Sequence, residues 1–91
     1  METILLDGRK FTSKEMLHKI LKDQLDFPDY YGENASALWD CLTGWIGLPV
    51  TIEWEYFEES KNILGAYADL ILNIFQDAQK DMPGEFFFSV K

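Results

Sequence analysis

The sequence predicts an α/β domain in which a small three-stranded parallel sheet carries about four helices, packed mainly on one side. Three observations lead there. The 91 residues hold material for one core, so residues 1–91 read as a single domain. Strand-like and amphipathic stretches follow the order strand, two helices, strand, two helices, strand, and helices between strands favour parallel pairing through right-handed crossovers. In the middle strand, Val50-Thr51-Ile52-Glu53-Trp54, apolar and polar residues alternate, so one face is covered and the other meets water.

Thr3-Ile4-Leu5-Leu6 reads as a short strand closed by the Asp7-Gly8 turn. That pair also fits a hairpin, but a capped helix follows it closely and disfavours one. Thr12 with Glu15 forms a capping box, and Met16, Leu17, Ile20, Leu21 and Leu25 then fall on one helical face until Pro28 closes the helix. Asp29 to Asn34 is a turn-rich loop. Asn34 is a good N-cap for a second helix that ends near Gly44. Pro49 opens the middle strand. A short helix over 56–63 breaks near Gly65, and a longer one follows. There Tyr67, Leu70, Ile71, Ile74, Phe75 and Ala78 match the amphipathic template. Met82-Pro83-Gly84 stops that helix, and Phe86 to Val90 is the last strand.

An apolar fraction of 47% with seven Phe, four Tyr and three Trp excludes a disordered chain. The single cysteine, Cys41, excludes an intramolecular disulfide and fits a reducing compartment. Met1 to Asp7 lacks a basic leader, and no stretch approaches the roughly 18 apolar residues of a membrane span. A cytoplasmic, monomeric protein is the expectation. The net charge of −8 is concentrated in residues 26–60, which carry eight carboxylates and no Lys or Arg. A direct nucleic-acid binder normally shows the opposite sign. A basic protein would be steered toward such a surface, although solubility alone also accounts for an acidic domain.

No catalytic constellation is apparent. His18 reads as a surface or boundary histidine and Cys41 as a packed thiol; together they fall short of a zinc site. Carboxylate pairs such as Glu53 and Glu55, or Glu58 and Glu59, arise by chance among sixteen acidic residues. Asp7-Gly8-Arg9-Lys10 lacks the glycine spacing that cradles a phosphate, so no metal, nucleotide or other cofactor is expected. The stretch from Pro28 to Trp45 is different. It joins a loop of aromatic and acidic groups to a helix on which Ser36, Trp39, Asp40 and Thr43 share one face, while Leu38 and Leu42 share another. Rigid aromatics around a charged anchor are the usual make-up of an interface hot spot. The spacing fits a plain amphipathic helix with Trp39 half buried equally well.

Pro28-Asp29-Tyr30-Tyr31-Gly32-Glu33-Asn34, followed by Ala37-Leu38-Trp39-Asp40-Cys41-Leu42-Thr43-Gly44-Trp45, resembles the signature of the barstar family, and the similarity extends over nearly the whole chain. The resemblance implies a three-stranded parallel sheet with four helices. It also implies a non-enzymatic cytoplasmic inhibitor of a secreted, basic, guanyl-specific ribonuclease of the barnase type. Its second helix and preceding loop would plug the enzyme's active site, with no membrane or direct nucleic-acid partner. Tyr30, Gly32, Asn34, Trp39, Asp40, Thr43, Gly44 and Trp45 match contact positions of the family. Asp40 matches the acid that occupies the phosphate site, and Asp77 matches an acidic contact that is a glutamate in the best-known member. Ser36, on the same face, stands where that member has a second acid, and Gly47 replaces another. These departures admit an alternative, a module of the same fold that has diverged to a different basic partner. Leu48-Pro49 matches a cis peptide of the family.

Overall fold

The computed structural model describes residues 2–91. In chain order it contains β1 (Glu2–Asp7), a 3-10 turn (Gly8–Lys10), α1 (Lys14–Gln24), α2 (Ala35–Gly44), β2 (Val50–Glu55), α3 (Phe57–Leu64), α4 (Ala66–Asp81) and β3 (Phe86–Val90). The strands form one parallel sheet in the order β1-β2-β3, with Ile4 opposite Ile52 and Ile52 opposite Phe88. The expected order of elements and the parallel pairing are both present, and the hairpin alternative is absent.

Alternation along the strands sets the layers. Ile4, Leu6, Val50, Ile52, Trp54 and Phe86 are buried under the helices, whereas Leu5, Phe87 and Ser89 are exposed on the open face. Trp54 is the centre of the core, edge-on to Phe11, Phe57 and Phe75 at 5.5, 5.0 and 6.3 Å between ring centroids. Phe75 in turn stacks on Phe88 at 4.9 Å. The side chain of Gln79 accepts from the Phe88 amide at 2.6 Å and so occupies a donor of the edge strand.

Several boundaries differ from those the sequence suggests. The cap of α1 is Ser13, whose Oγ accepts from the Met16 amide at 3.0 Å, and not Thr12. The Thr12 amide is engaged by the Lys10 carbonyl at the end of the 3-10 turn, which delays helix entry by one residue. At its other end, α1 stops before Pro28 acts. Asp26 turns left-handed at φ 55° and the Phe27 amide returns to the Lys22 carbonyl, the 6→1 bond of a Schellman motif. Met16 and Leu70, both assigned to apolar stripes by spacing, are 38% and 45% exposed. The buried stripe of α4 is Ala68, Ile71, Phe75 and Ala78, which leaves Leu70 at its margin. The Leu48–Pro49 peptide is cis.

Gly8 is required at its position by space. A Cβ there would lie 2.5 Å from the Glu55 carbonyl oxygen, 2.6 Å from that of Tyr56 and 2.4 Å from Ser60 Oγ. Two of these neighbours are backbone at the β2–α3 junction and cannot swing aside. Gly8→Ala is therefore expected to destabilise by about 1–3 kcal/mol, as overpacking does, read as a lower urea midpoint at unchanged slope. A midpoint equal to wild type would contradict this account of the junction.

Candidate functional site

The loop between α1 and α2 is held at both ends. Glu33 is left-handed at φ 52°, and Asn34 caps α2 by accepting from the Ala37 amide at 2.8 Å while its Nδ2 donates to the Gly32 carbonyl at 3.2 Å. A Cβ on Gly32 would sit 3.3 Å from Asn34 Nδ2, so the close approach of loop to cap favours glycine there. Within the loop, the Tyr31 amide donates to the Pro28 carbonyl at 2.9 Å. At the far side, the Trp45 indole donates to the Asp26 carbonyl at 2.9 Å, pinning the end of α2 to the beginning of the loop.

Two surface features result. Tyr30 and Trp45, 74% and 49% exposed, meet edge to face with centroids 6.3 Å apart. Such pairs normally gain by being covered, and these present large rigid rings to solvent. The second feature is an open groove of about 440 Å³ between α2 and α4, lined by Ala35, Ser36, Trp39, Asp40, Ile74 and Asp77. Ser36, Asp40 and Asp77 are exposed along it, with Trp39 and Ile74 forming apolar walls. An open cleft with two carboxylates and an aromatic wall suits a cationic group.

The residues selected from sequence therefore divide. Ser36, Trp39, Asp40 and Asp77 share the groove; Tyr30 and Trp45 form the aromatic pair; Gly32 and Asn34 build the loop that precedes α2. Thr43 donates its hydroxyl to the Trp39 carbonyl at 2.8 Å, within its own helix. Gly44 closes α2, and nothing lies within 4 Å of where its Cβ would be. Ile74 was legible only as a core residue, yet it walls the groove. A separate concavity of about 590 Å³ runs along α1 past Lys10, Lys19 and Lys22, and it contains none of these residues.

Burial, and then the neighbouring Asp40 carboxylate, push the Cys41 thiol above its ordinary pKa, away from the nucleophilic thiolate. His18 is fully buried, contrary to its reading as a surface or boundary residue. Its ring nitrogens lie 2.6 Å from the Tyr31 hydroxyl and 2.5 Å from that of Tyr67. The signal for burial was present, since His18, Leu21 and Leu25 fall at helical offsets on one face. Among the described residues no group of three or more His, Cys, Asp and Glu side chains could hold a metal ion, and no helix is long and apolar enough to cross a membrane.

Residues 1–90 match the protein family described as Barstar (barnase inhibitor). A relative in Bacillus subtilis (strain 168), named "Putative ribonuclease inhibitor YrdF", is 55% identical over 86 residues, covering 94% of each chain.

Proposed function

This chain belongs to the barstar family, and from that membership we propose that it is a cytoplasmic, non-enzymatic inhibitor of a secreted, basic, guanyl-specific ribonuclease of the barnase type. The α2 surface and the loop before it cover the enzyme's active site, and Asp40 takes the place of an RNA phosphate. The observation that carries this reading is the placement of Asp40. It stands exposed in a groove with Asp77 and Trp39, on the part of the chain where eight carboxylates occur without a single Lys or Arg. A ribonuclease that binds RNA phosphates offers clustered Arg, Lys and His, and an exposed carboxylate satisfies them with charge-assisted hydrogen bonds. Tyr30 and Trp45 add the aromatic area that anchors an interface. In this reading Gly32, Asn34, Thr43 and Gly44 shape the contact, and the free inhibitor is a monomer.

A second reading, a different basic protein as target, is favoured by one feature of the groove. Ser36 supplies a hydroxyl where a further acid would strengthen the attraction, and Asp77 reaches one methylene less far than a glutamate. Titration against a panel of small guanyl-specific ribonucleases, barnase included, separates the two. Stoichiometric loss of RNA cleavage supports the first; no inhibition of any member would refute it.

Association should also depend strongly on salt. The Debye length shrinks from about 30 Å at 0.01 M to about 3 Å at 1 M ionic strength. Steering by the acidic segment therefore disappears over that range, and the association rate is expected to fall at least about tenfold in stopped-flow mixing. A rate independent of salt would show that encounter does not use this charge.

A further inference from the structure

We propose that His18 is a pH-responsive latch that orders the loop of residues 28–34 only while its ring is neutral. The importance of that loop rests on the reading of it as part of the partner-binding surface.

The geometry places His18 between two elements. It projects from α1 with 1% of its surface exposed, and its Nδ1 and Nε2 face the hydroxyls of Tyr31 in the loop and Tyr67 in α4 at 2.6 and 2.5 Å. Tyr31 lies directly between Tyr30 and Gly32, so its hydroxyl anchors the loop from beneath. The other tethers, Trp45 to the Asp26 carbonyl and Asn34 to the Gly32 carbonyl, are at exposed positions, whereas this one is buried. Within the segment Glu33 is a non-glycine residue in the left-handed region. That conformation is disfavoured for L residues and persists where the surroundings enforce it. Loosening the central tether therefore removes a constraint that the loop backbone needs.

Protonation loosens it. A neutral imidazole has one donor and one acceptor, and two hydroxyls that each donate or accept complete the match. The imidazolium has two donors, so whichever tyrosine hydroxyl donated to the ring loses its acceptor, and a cation is left buried. The charged and titratable groups around it come from every neighbouring element. Glu33 from the loop favours the cation. Lys14, one turn earlier on α1, has its ammonium 4.8 Å over the Tyr67 ring. Cys41 of α2 lies near Tyr31. Burial outweighs Glu33 and holds the His18 pKa below its ordinary value of 6.5. A depressed histidine pKa means that the fold prefers the neutral ring. Its stabilising contribution is thus complete above about 6.5 and is lost as pH falls through the lower folded value. Of the two partners, Tyr31 is the one that yields. Tyr67 belongs to a long helix packed through Ile71 and Phe75, whereas Tyr31, itself buried against Phe27 at 4.8 Å between ring centroids, is the single buried residue of a loop whose other members are exposed or half-buried.

NMR of the free protein from pH 7.5 down through the His18 ring titration tests this without any ribonuclease, so failure of the inhibitory reading leaves the outcome intact. Exchange of the Tyr31 amide, corrected for intrinsic pH dependence, is expected to accelerate about tenfold with the midpoint of the His18 ring titration, while the Ile52 and Trp54 amides of β2 change far less. In His18→Gln, which does not titrate, the profile should be flat. In Tyr31→Phe the loop should exchange fast already at pH 7.5 and stay so. A wild-type Tyr31 amide indifferent to the His18 titration, or β2 amides moving in step with it, overturns the latch.

Discussion

Asp40→Ala is expected to weaken inhibition of the cognate ribonuclease by at least about 2 kcal/mol, or roughly thirtyfold in affinity. The carboxylate is exposed in the groove between α2 and α4, so its removal costs the free protein little. The loss arises in the complex. If Asp40 takes the place of an RNA phosphate as proposed, the enzyme's phosphate-binding cations are stripped of water there by the covering surface, and without Asp40 they remain desolvated and unpaired. Asp40→Asn keeps the shape and one acceptor oxygen while removing the charge, so most of the loss should remain. Glu58→Ala supplies the control. It deletes one exposed negative charge at the start of α3, away from the groove, and should cost well under 1 kcal/mol, chiefly through slower association. Inhibition constants from RNA cleavage titrations, with both rate constants, separate the cases. Equal losses for Asp40→Ala and Glu58→Ala would sink phosphate mimicry and leave only diffuse charge attraction.

That prediction rests on features of unequal visibility in the sequence. The α2 half of the groove was legible, because Ser36, Trp39 and Asp40 occur at offsets that a helix brings together and Asn34 marks where that helix starts. The α4 half was not. Asp77 was implied by resemblance alone, and Ile74 read as core, since spacing within one helix cannot say where a second helix crosses it. The same limit hid the role of His18. Its burial follows from its helical offset to Leu21 and Leu25, but its partners stand 13 and 49 residues away. Leu70 fits the amphipathic template and is nearly half exposed, because the stripe that packs is narrower than the one that spacing permits. Boundaries failed for a smaller reason. Thr12 and Ser13 are both good caps, and a hydrogen bond from the preceding turn decides between them. Parallel pairing, by contrast, was legible in the order of elements, since helices between strands favour crossover connections, whereas the strand order β1-β2-β3 comes from the structure.

Trp54 carries the largest expected effect on stability. It is fully buried on β2, flanked edge-on by Phe11, Phe57 and Phe75, and its indole donates to Ser60 Oγ at 3.2 Å. Ser60 Oγ in turn donates to the Gly8 carbonyl at 2.8 Å, so one hydroxyl joins the central strand to α3 and to the turn after β1. Trp54→Ala removes an aromatic side chain from a site bounded by three other rings, which are too large to collapse into the space. A loss of about 3–5 kcal/mol is expected, the range for truncating a buried aromatic. Small domains hold only about 5–15 kcal/mol in total, so this variant should lie close to its unfolding midpoint in mild denaturant. Trp54→Phe and Ser60→Ala divide the effect. The first keeps a ring but leaves part of the indole volume empty; the second leaves the indole N–H and the Gly8 carbonyl without Ser60, at about 1–3 kcal/mol for each buried group left unsatisfied. Urea unfolding followed by circular dichroism measures all three. A Trp54→Ala midpoint within about 1 kcal/mol of wild type would mean that helices and sheet do not close around this residue, and a Ser60→Ala midpoint equal to wild type would mean that the hydroxyl bridge is not stabilising.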